Sequence, residues 1–189
     1  MPEYRYELKI TQERIAVLIG KNGETKNELE KSTKTKLDID SKEGDVFVSG
    51  EEALGLYVAR EIIQAIGRGF NPEIAQLLLK QDYVLEVIDI KEFSGKSKDT
   101  ELRLKGRVIG REGKSRRLIE ELAECFVSVY GKTVAIIGTA EQALVAKQAV
   151  ESLLKGSTHA SVYKFLEKKR RELKRMEFID NKQEANQNI

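Results

Sequence analysis

The sequence predicts an α+β protein built from two tandem copies of one small domain. Each copy is a three-stranded antiparallel sheet covered by helices, and one more helix follows the second copy. Three observations predict this. A short loop, Ile19-Gly20-Lys21-Asn22-Gly23, returns as Ile109-Gly110-Arg111-Glu112-Gly113, 90 residues later. The same order of strand-like and helix-like segments surrounds both loops. The alignment then persists: Leu37 and Ile39 match Val127 and Val129 at offset 90, and Val46 and Gly50 match Val134 and Gly138 at offset 88.

The elements of the first copy follow from local pattern. Tyr4 to Ile10 alternates with period two and predicts a strand. Thr11 is placed as an N-cap for a short helix, Glu13 to Ile19, with Ile15, Leu18 and Ile19 toward a core. The glycine loop interrupts, and a second helix runs from about Glu24 to Ser32, anchored by Leu29. Lys36 to Asp40 alternates again, a loop passes Gly44, and Val46-Phe47-Val48 completes a hairpin. After Gly50 a helix is expected from Glu51 to about Ile66, apolar at Leu54, Val58, Ile62 and Ile66. The unit reads β-α-loop-α-β-β-α.

The second copy repeats that order. Tyr83 to Ile90 alternates, a helix ends near Ile109, and Lys114 to Glu124 forms the helix after the loop. Phe126 to Val129 and Val134 to Ile137 pair through a turn at Gly131-Lys132, and Thr139 caps a helix from Ala140 to Leu154. Between the copies, Gly67-Arg68-Gly69-Phe70-Asn71-Pro72 reads as a helix stop and then a helix start. Ile74, Leu77, Leu78 and Leu79 follow. A helix this apolar is costly to expose, at about 25 cal/mol per Å², so it is expected to dock between the domains and fix their orientation. Ser157 or Thr158 caps a last helix, docked by Val162, Phe165, Leu166 and Leu173, with Lys168, Lys169, Arg170, Arg171 and Lys174 in water. The expected division is a first domain over 1–68, a connecting helix over 69–82, a second domain over 83–156, a basic helix over 157–178 and a disordered tail over 179–189.

Composition narrows the function. No run of about 18 apolar residues is present, and the N-terminus has no signal-peptide character, so a cytoplasmic protein without membrane contact is expected. Cys125, the single cysteine, is expected to be a buried structural thiol. His159 is the only histidine and has no second metal-ligand residue beside it, so it is expected to cap or pack a helix start rather than bind zinc. Asp38 and Asp40 share a strand face without a third carboxylate, which favours solvated acids over a nuclease centre. Neither glycine loop has the Gly-Lys-Ser/Thr spacing of a nucleotide-binding P-loop. No cofactor and no enzymatic activity are expected.

Charge is unevenly placed. The net charge is +2, yet residues 96–117 carry nine basic and three acidic side chains, and residues 164–175 carry seven and two. Residues 1–80 carry 12 basic and 14 acidic side chains. Local basic patches, more than the total, attract nucleic acid. The C-terminal run reads equally well as the solvated face of a helix.

A Gly-x-x-Gly turn between two helices suits a sugar-phosphate backbone. Glycine lets that backbone approach closely, and the N–H groups and dipole at the next helix start favour an anion. Lys21 and Arg111 add a phosphate contact without base preference, and Ile19 and Ile109 offer a floor for a base. The candidate RNA-binding residues are Ile19, Gly20, Lys21, Asn22, Gly23 and Lys26, with Ile109, Gly110, Arg111, Glu112, Gly113, Lys114, Arg116 and Arg117. The second loop is favoured, because Arg103, Lys105 and Arg107 precede it and Lys114, Arg116 and Arg117 follow, whereas Glu24 follows the first.

This loop within this element order resembles the KH domain of eukaryotic topology, a clamp for about four single-stranded nucleotides. The resemblance covers residues 4–66 and 84–155. The segments Ala65 to Glu73 and Gly156 to Leu166 further resemble a two-KH family, the archaeal counterpart of the small-subunit assembly factor called partner of the Nob endonuclease. That resemblance implies binding near the 3′ end of pre-16S ribosomal RNA during small-subunit maturation. It also implies contact with the PIN-domain endonuclease that trims that end, and with the alpha subunit of translation initiation factor two. Many eukaryotic members carry a degenerate first loop; this chain keeps both glycines and a basic residue in each, which implies RNA contact by both domains. Two alternatives remain open at this point: a general KH adaptor, as in RNA decay, and a protein-docking scaffold with one idle loop.

Overall fold

The computed structural model describes residues 4–187. In the first half, strand β1 (Tyr4–Lys9) leads to α1 (Gln12–Ile19), the glycine loop, and α2 (Glu24–Thr33). Strands β2 (Lys36–Asp40) and β3 (Asp45–Gly50) form the hairpin, and α3 (Ala53–Gly67) closes the unit. The joint is one turn of α-helix, α4 (Pro72–Ala75), continued by a 3₁₀ turn over Gln76–Leu79. The second half is β4 (Tyr83–Asp89), α5 (Lys91–Ser94), α6 (Lys98–Ile109), the second loop, α7 (Lys114–Ala123), β5 (Phe126–Tyr130), β6 (Thr133–Thr139) and α8 (Ala140–Leu154). Helix α9 (His159–Gln187) ends the described chain. No helix among the described residues is long and apolar enough to cross a membrane.

Each sheet places the third strand of its copy in the centre: β1-β3-β2 and β4-β6-β5, all antiparallel. The alternation read from sequence puts Leu37, Val46 and Val48 on the helix side of the first sheet, where they pack with Ile15, Leu18, Leu29, Leu56, Ile62 and Ile66. Val127, Val134 and Ile136 do the same in the second, against Leu104, Val108, Ile119, Ala146 and Val150.

The outer faces differ. Rows across the first sheet read Arg5–Ser49–Lys36, Glu7–Phe47–Asp38 and Lys9–Asp45–Asp40. The corresponding rows of the second sheet read Leu85–Ile137–Phe126, Val87–Ala135–Ser128 and Asp89–Thr133–Tyr130. Ala135 and Ile137 are fully buried in the core cluster of the first domain, beside Phe70, Ala75 and Leu78 of the joint. The joint therefore docks as expected, and the outer rows at Leu85 and Val87 are largely apolar because they are covered, while the row at Asp89 stays polar.

Polar bonds fix the same contact. Arg14 donates from Nε to Ile66 O at 2.7 Å and from a terminal nitrogen to Phe70 O, so it caps the end of α3 and the turn after it. Burial lowers the Arg14 pKa, against the raising influence of Tyr130 and Glu13. Its guanidinium lies 5.9 Å from the Tyr130 ring centroid. Ser128 Oγ donates to Arg68 O at 2.8 Å. Gly69, at φ +100°, is required here: a Cβ would stand 2.6 Å from Ser128 Oγ and 2.9 Å from Tyr130 Cβ.

Several expectations shift. Thr11 precedes α1 in extended conformation, but its hydroxyl makes no cap; it meets Tyr130 OH at 3.0 Å across the domains. Leu54, expected on the buried face of α3, is 70% exposed, and Leu56 and Ile63 are buried instead. The helical phase is set by the length of the buried stripe, and Leu54 in its first turn lies off it. Leu79 is 40% exposed at the end of the joint. Helix α9 continues to Gln187, where a disordered tail was expected over 179–189. Helix needs no apolar stripe when the residues are good helix formers such as Lys, Glu, Gln and Ala. Residues 188–189 lie outside the described residues.

Candidate nucleic-acid interface

Both glycine loops adopt the same backbone. Gly20 and Gly110 have φ +73°, Asn22 and Glu112 φ +54°, and Gly23 and Gly113 φ +79° and +75°. The first glycine of each loop is demanded by packing: a Cβ on Gly20 would stand 2.3 Å from Thr25 Oγ1, and one on Gly110 2.6 Å from Ser115 Cβ. The second is demanded by its positive φ, since a Cβ on Gly113 meets nothing within 4 Å. The sequence reading assigned the glycines to close approach of RNA; the fold itself needs them first.

The helix starts also differ from expectation. Gly23 N–H donates to Gly20 O at 3.3 Å and Glu24 N–H to Lys21 O; Gly113 and Lys114 repeat both bonds. The loop thus consumes donors that were expected to face outward. Anion attraction rests on the helix dipole and on side chains. Lys21, Asn22, Arg111, Glu112, Lys114 and Arg117 are exposed around the two turns, and Ile19 and Ile109 are half-buried beneath them.

One arrangement is shared and was missed. Glu30 accepts from the N–H of Leu37 at 2.7 Å, and Glu120 accepts from the N–H of Val127 at 2.9 Å. These N–H groups lie on β2 and β5, the outer strands of their sheets, whose free edge faces the second helix of each unit. Lys26 stands 4.0 Å from Glu30, and Arg116 stands 3.8 Å from Glu120 while donating to Val127 O at 3.3 Å. Lys26 and Arg116 are therefore half-buried members of a carboxylate pair at the strand edge rather than free cations. Their common offset of 90 was the available sign.

The basic approach to the second loop is thinner than its composition. Lys105 pairs with Glu101 at 2.7 Å, and Arg107 donates to Leu153 O and Ser157 O, closing the end of α8. Arg117 donates to Glu112 O at 2.8 Å and so braces the loop from an exposed position. Arg103 is exposed. The C-terminal basic run is partly spent as well: Arg170 and Lys174 hold Glu124 at 3.2 and 3.5 Å, and Lys168 and Lys169 flank Glu172.

The remaining candidates take structural places. His159 Nε2 meets Arg107 O at 2.8 Å at the start of α9. Cys125 is 5% exposed, and burial pushes its thiol up to about 12, so it is held as an unreactive thiol. Asp40 accepts from the N–H groups of Lys42 and Glu43 and shapes the hairpin turn. Among the described residues no group of three or more His, Cys, Asp or Glu side chains is placed to hold a metal ion.

Comparison with known proteins agrees with this geometry. Residues 84–171 match the family described as eukaryotic-type KH-domain (KH-domain type I), and residues 5–65 match the KH domain. A KH domain-containing protein of Methanocaldococcus jannaschii is 53% identical over 90% of this chain and 76% of its own length. The RNA-binding protein pno1 of Dictyostelium discoideum is 32% identical over 61% of this chain. The pre-rRNA-processing protein pno1 of Schizosaccharomyces pombe is 30% identical over 54%. The chain spans 48% and 43% of the length of these two eukaryotic relatives. Among solved structures, Dim2p from Pyrococcus horikoshii superposes with a TM-score of 0.80 at 48% identity, covering 87% of this chain and 99% of that one. A chain from the a/eIF2alpha-aDim2p-rRNA complex of the same organism gives 0.83 at 46% identity, covering 90% and 96%. With two KH units in one chain and this extent of identity, the protein belongs to the PNO1/Dim2-like family of two-KH-domain RNA-binding proteins.

Proposed function

We propose that this protein binds single-stranded RNA through both glycine loops, near the 3′ end of pre-16S ribosomal RNA, during maturation of the small ribosomal subunit. The observation that carries the reading is the loop itself. The same turn, with the same positive-φ residues and a basic second residue, stands twice at a helix start beside a free strand edge. Relatives named for pre-rRNA processing and a structural neighbour solved with ribosomal RNA support the choice of RNA.

The contacts follow from the placement. Lys21 and Arg111 meet phosphates, aided by Lys114 and Arg117, while Gly20, Asn22, Gly23, Gly110, Glu112 and Gly113 shape the turns. Ile19 and Ile109 support a base, and Lys26 and Arg116 stand with their glutamates where a base edge reaches the outer strand. The protein performs no chemistry of its own. Its partners are the alpha subunit of translation initiation factor two, present with the Pyrococcus neighbour, and the PIN-domain endonuclease that trims the same RNA end.

Ultraviolet crosslinking in extract of the source organism, followed by sequencing of the bound RNA, tests the reading. The expected result is enrichment of the 3′ region of pre-16S RNA. Enrichment of messenger RNA fragments instead would favour the general adaptor, and recovery of no RNA would favour the scaffold.

A further inference from the structure

The outer face of the first sheet is open where that of the second is covered, and its charges are sorted along the strands. At the hairpin end Lys9 pairs with Asp45 at 3.3 Å, and Asp40 is engaged in the turn. At the other end the row Arg5–Ser49–Lys36 carries two cations and a hydroxyl. Phe47, in the next row, is the one aromatic of this face, and the Arg5 guanidinium lies 4.3 Å from its ring centroid. Arg5 itself is exposed.

This end of the face reaches the helix that follows the first glycine loop. Arg5, Phe47 and Lys36 line one shallow depression together with Lys26, Asp38 and Ser49. Lys26 belongs to the first turn of α2, three residues past Gly23. The depression therefore begins at Lys26 on α2, passes over the edge strand β2, and ends on an Arg–Phe stack. In the second domain the corresponding positions are Leu85, Ala135 and Phe126, and the joint lies over that face.

A guanidinium over an aromatic ring offers a planar surface to a base, and flanking cations take the adjoining phosphates. Asp38 and Ser49 supply an acceptor and a hydroxyl for a base edge. We infer that the outer face of the first sheet, at Arg5, Lys36 and Phe47, is a second RNA subsite that extends the first clamp by one or two single-stranded nucleotides. The occupant is RNA because Arg5 and Lys36 face one acid, Asp38, there, and because the depression reaches α2 of the clamp at Lys26, which is itself paired with Glu30. The inference rests on the reading of the first loop as an RNA clamp.

The test uses the full chain with the second loop disabled by Arg111→Asp and Glu112→Asp. Fluorescein-labelled five- and twelve-nucleotide RNAs from the 16S 3′ end are titrated by anisotropy. Phe47→Ala and Lys36→Glu are each expected to weaken the twelve-nucleotide RNA about fivefold to tenfold, from loss of one stacked base or one phosphate contact, and to leave the five-nucleotide RNA within twofold. Lys36→Glu is an exposed change, so it reports even if Phe47→Ala unfolds the sheet. A 4-thiouridine near one end of the longer RNA is expected to crosslink to residues 4–10 or 45–50. Equal affinity of both variants for both lengths, or crosslinks confined to residues 19–30, would overturn the subsite while leaving the clamp intact. Failure of the parent protein to bind either RNA would instead remove the first clamp and the subsite with it.

Discussion

The two sheets share strand order and register, yet one turns Leu85, Val87 and Ile137 outward and the other turns Arg5, Glu7 and Ser49. The difference teaches that a repeat is preserved where it builds the loop and the inner core, and diverges where its surroundings differ. The joint, led by Phe70 and Leu78, lies over the second sheet and demands an apolar face. Nothing comparable within the described residues lies over the first, and charges stand there. A polar group under the joint would lose water without a partner, while a charge on the open face keeps its hydration.

The strongest way to break this comparison is to exchange matched positions. Ile137→Ser places a hydroxyl and a cavity under the joint and is expected to cost about 3 kcal/mol or more. Ser49→Ile, at the corresponding position of the open face, is expected to change stability by about 0.5 kcal/mol or less. Guanidinium chloride unfolding measures both. Equal costs would mean that the joint does not cover the second sheet in solution.

Arg14→Ala is expected to come next, at about 2 kcal/mol, because it removes the donor of Phe70 O and leaves Ile66 O with the Gly69 N–H alone. Arg14→Lys should restore little, since one ammonium lacks the planar fork that reaches both carbonyls. Hydrogen exchange should show faster exchange over residues 72–80 in both variants. Protection unchanged from the parent would mean that the apolar contacts alone hold the joint.

A smaller effect sharpens the contrast between the loops. Glu112 holds φ +54°, a conformation that asparagine tolerates better, and Asn22 already fills the matching position. Glu112→Asn is expected to stabilise the protein by about 0.5 kcal/mol and to tighten RNA binding by removing a carboxylate from the turn. The thermal midpoint and filter binding report these separately. Smallest of all, Cys125 should leave a thiol reagent at pH 8 unreacted until the second domain unfolds, since its thiol is buried and pushed up to about 12.

Much of this architecture was legible in the sequence for a physical reason. Period-two and helical patterns with glycine punctuation are local, and the repeat supplied the three strands and three main helices of the unit twice; the four-residue α5, present in the second copy alone, went unread. The joint was legible too, because four apolar residues within six positions must be covered. The pairings were not. Arg14 and Tyr130 lie 116 residues apart, and no local pattern says that one guanidinium will cap α3 beneath the other's ring. Lys105, Arg107 and Arg170 counted as basic surface in the sequence, whereas in the fold they are engaged by Glu101, by carbonyls of the α8 end and by Glu124. Charge counts register composition and are blind to such pairing.

The central claim is that both loops hold RNA and that the second holds it more tightly. The exposed Arg111, Lys114 and Arg117 surround the second, against Lys21 with Glu24 at the first. The most direct measurement is filter binding of a 16S 3′-end RNA to two paired variants, Arg111→Asp with Glu112→Asp, and Lys21→Asp with Asn22→Asp, at two salt concentrations. The account predicts that the second-loop pair weakens binding about tenfold or more, that the first-loop pair weakens it less, and that binding by the parent falls as salt rises. A larger loss from the first-loop pair, or unchanged affinity in either, would contradict it.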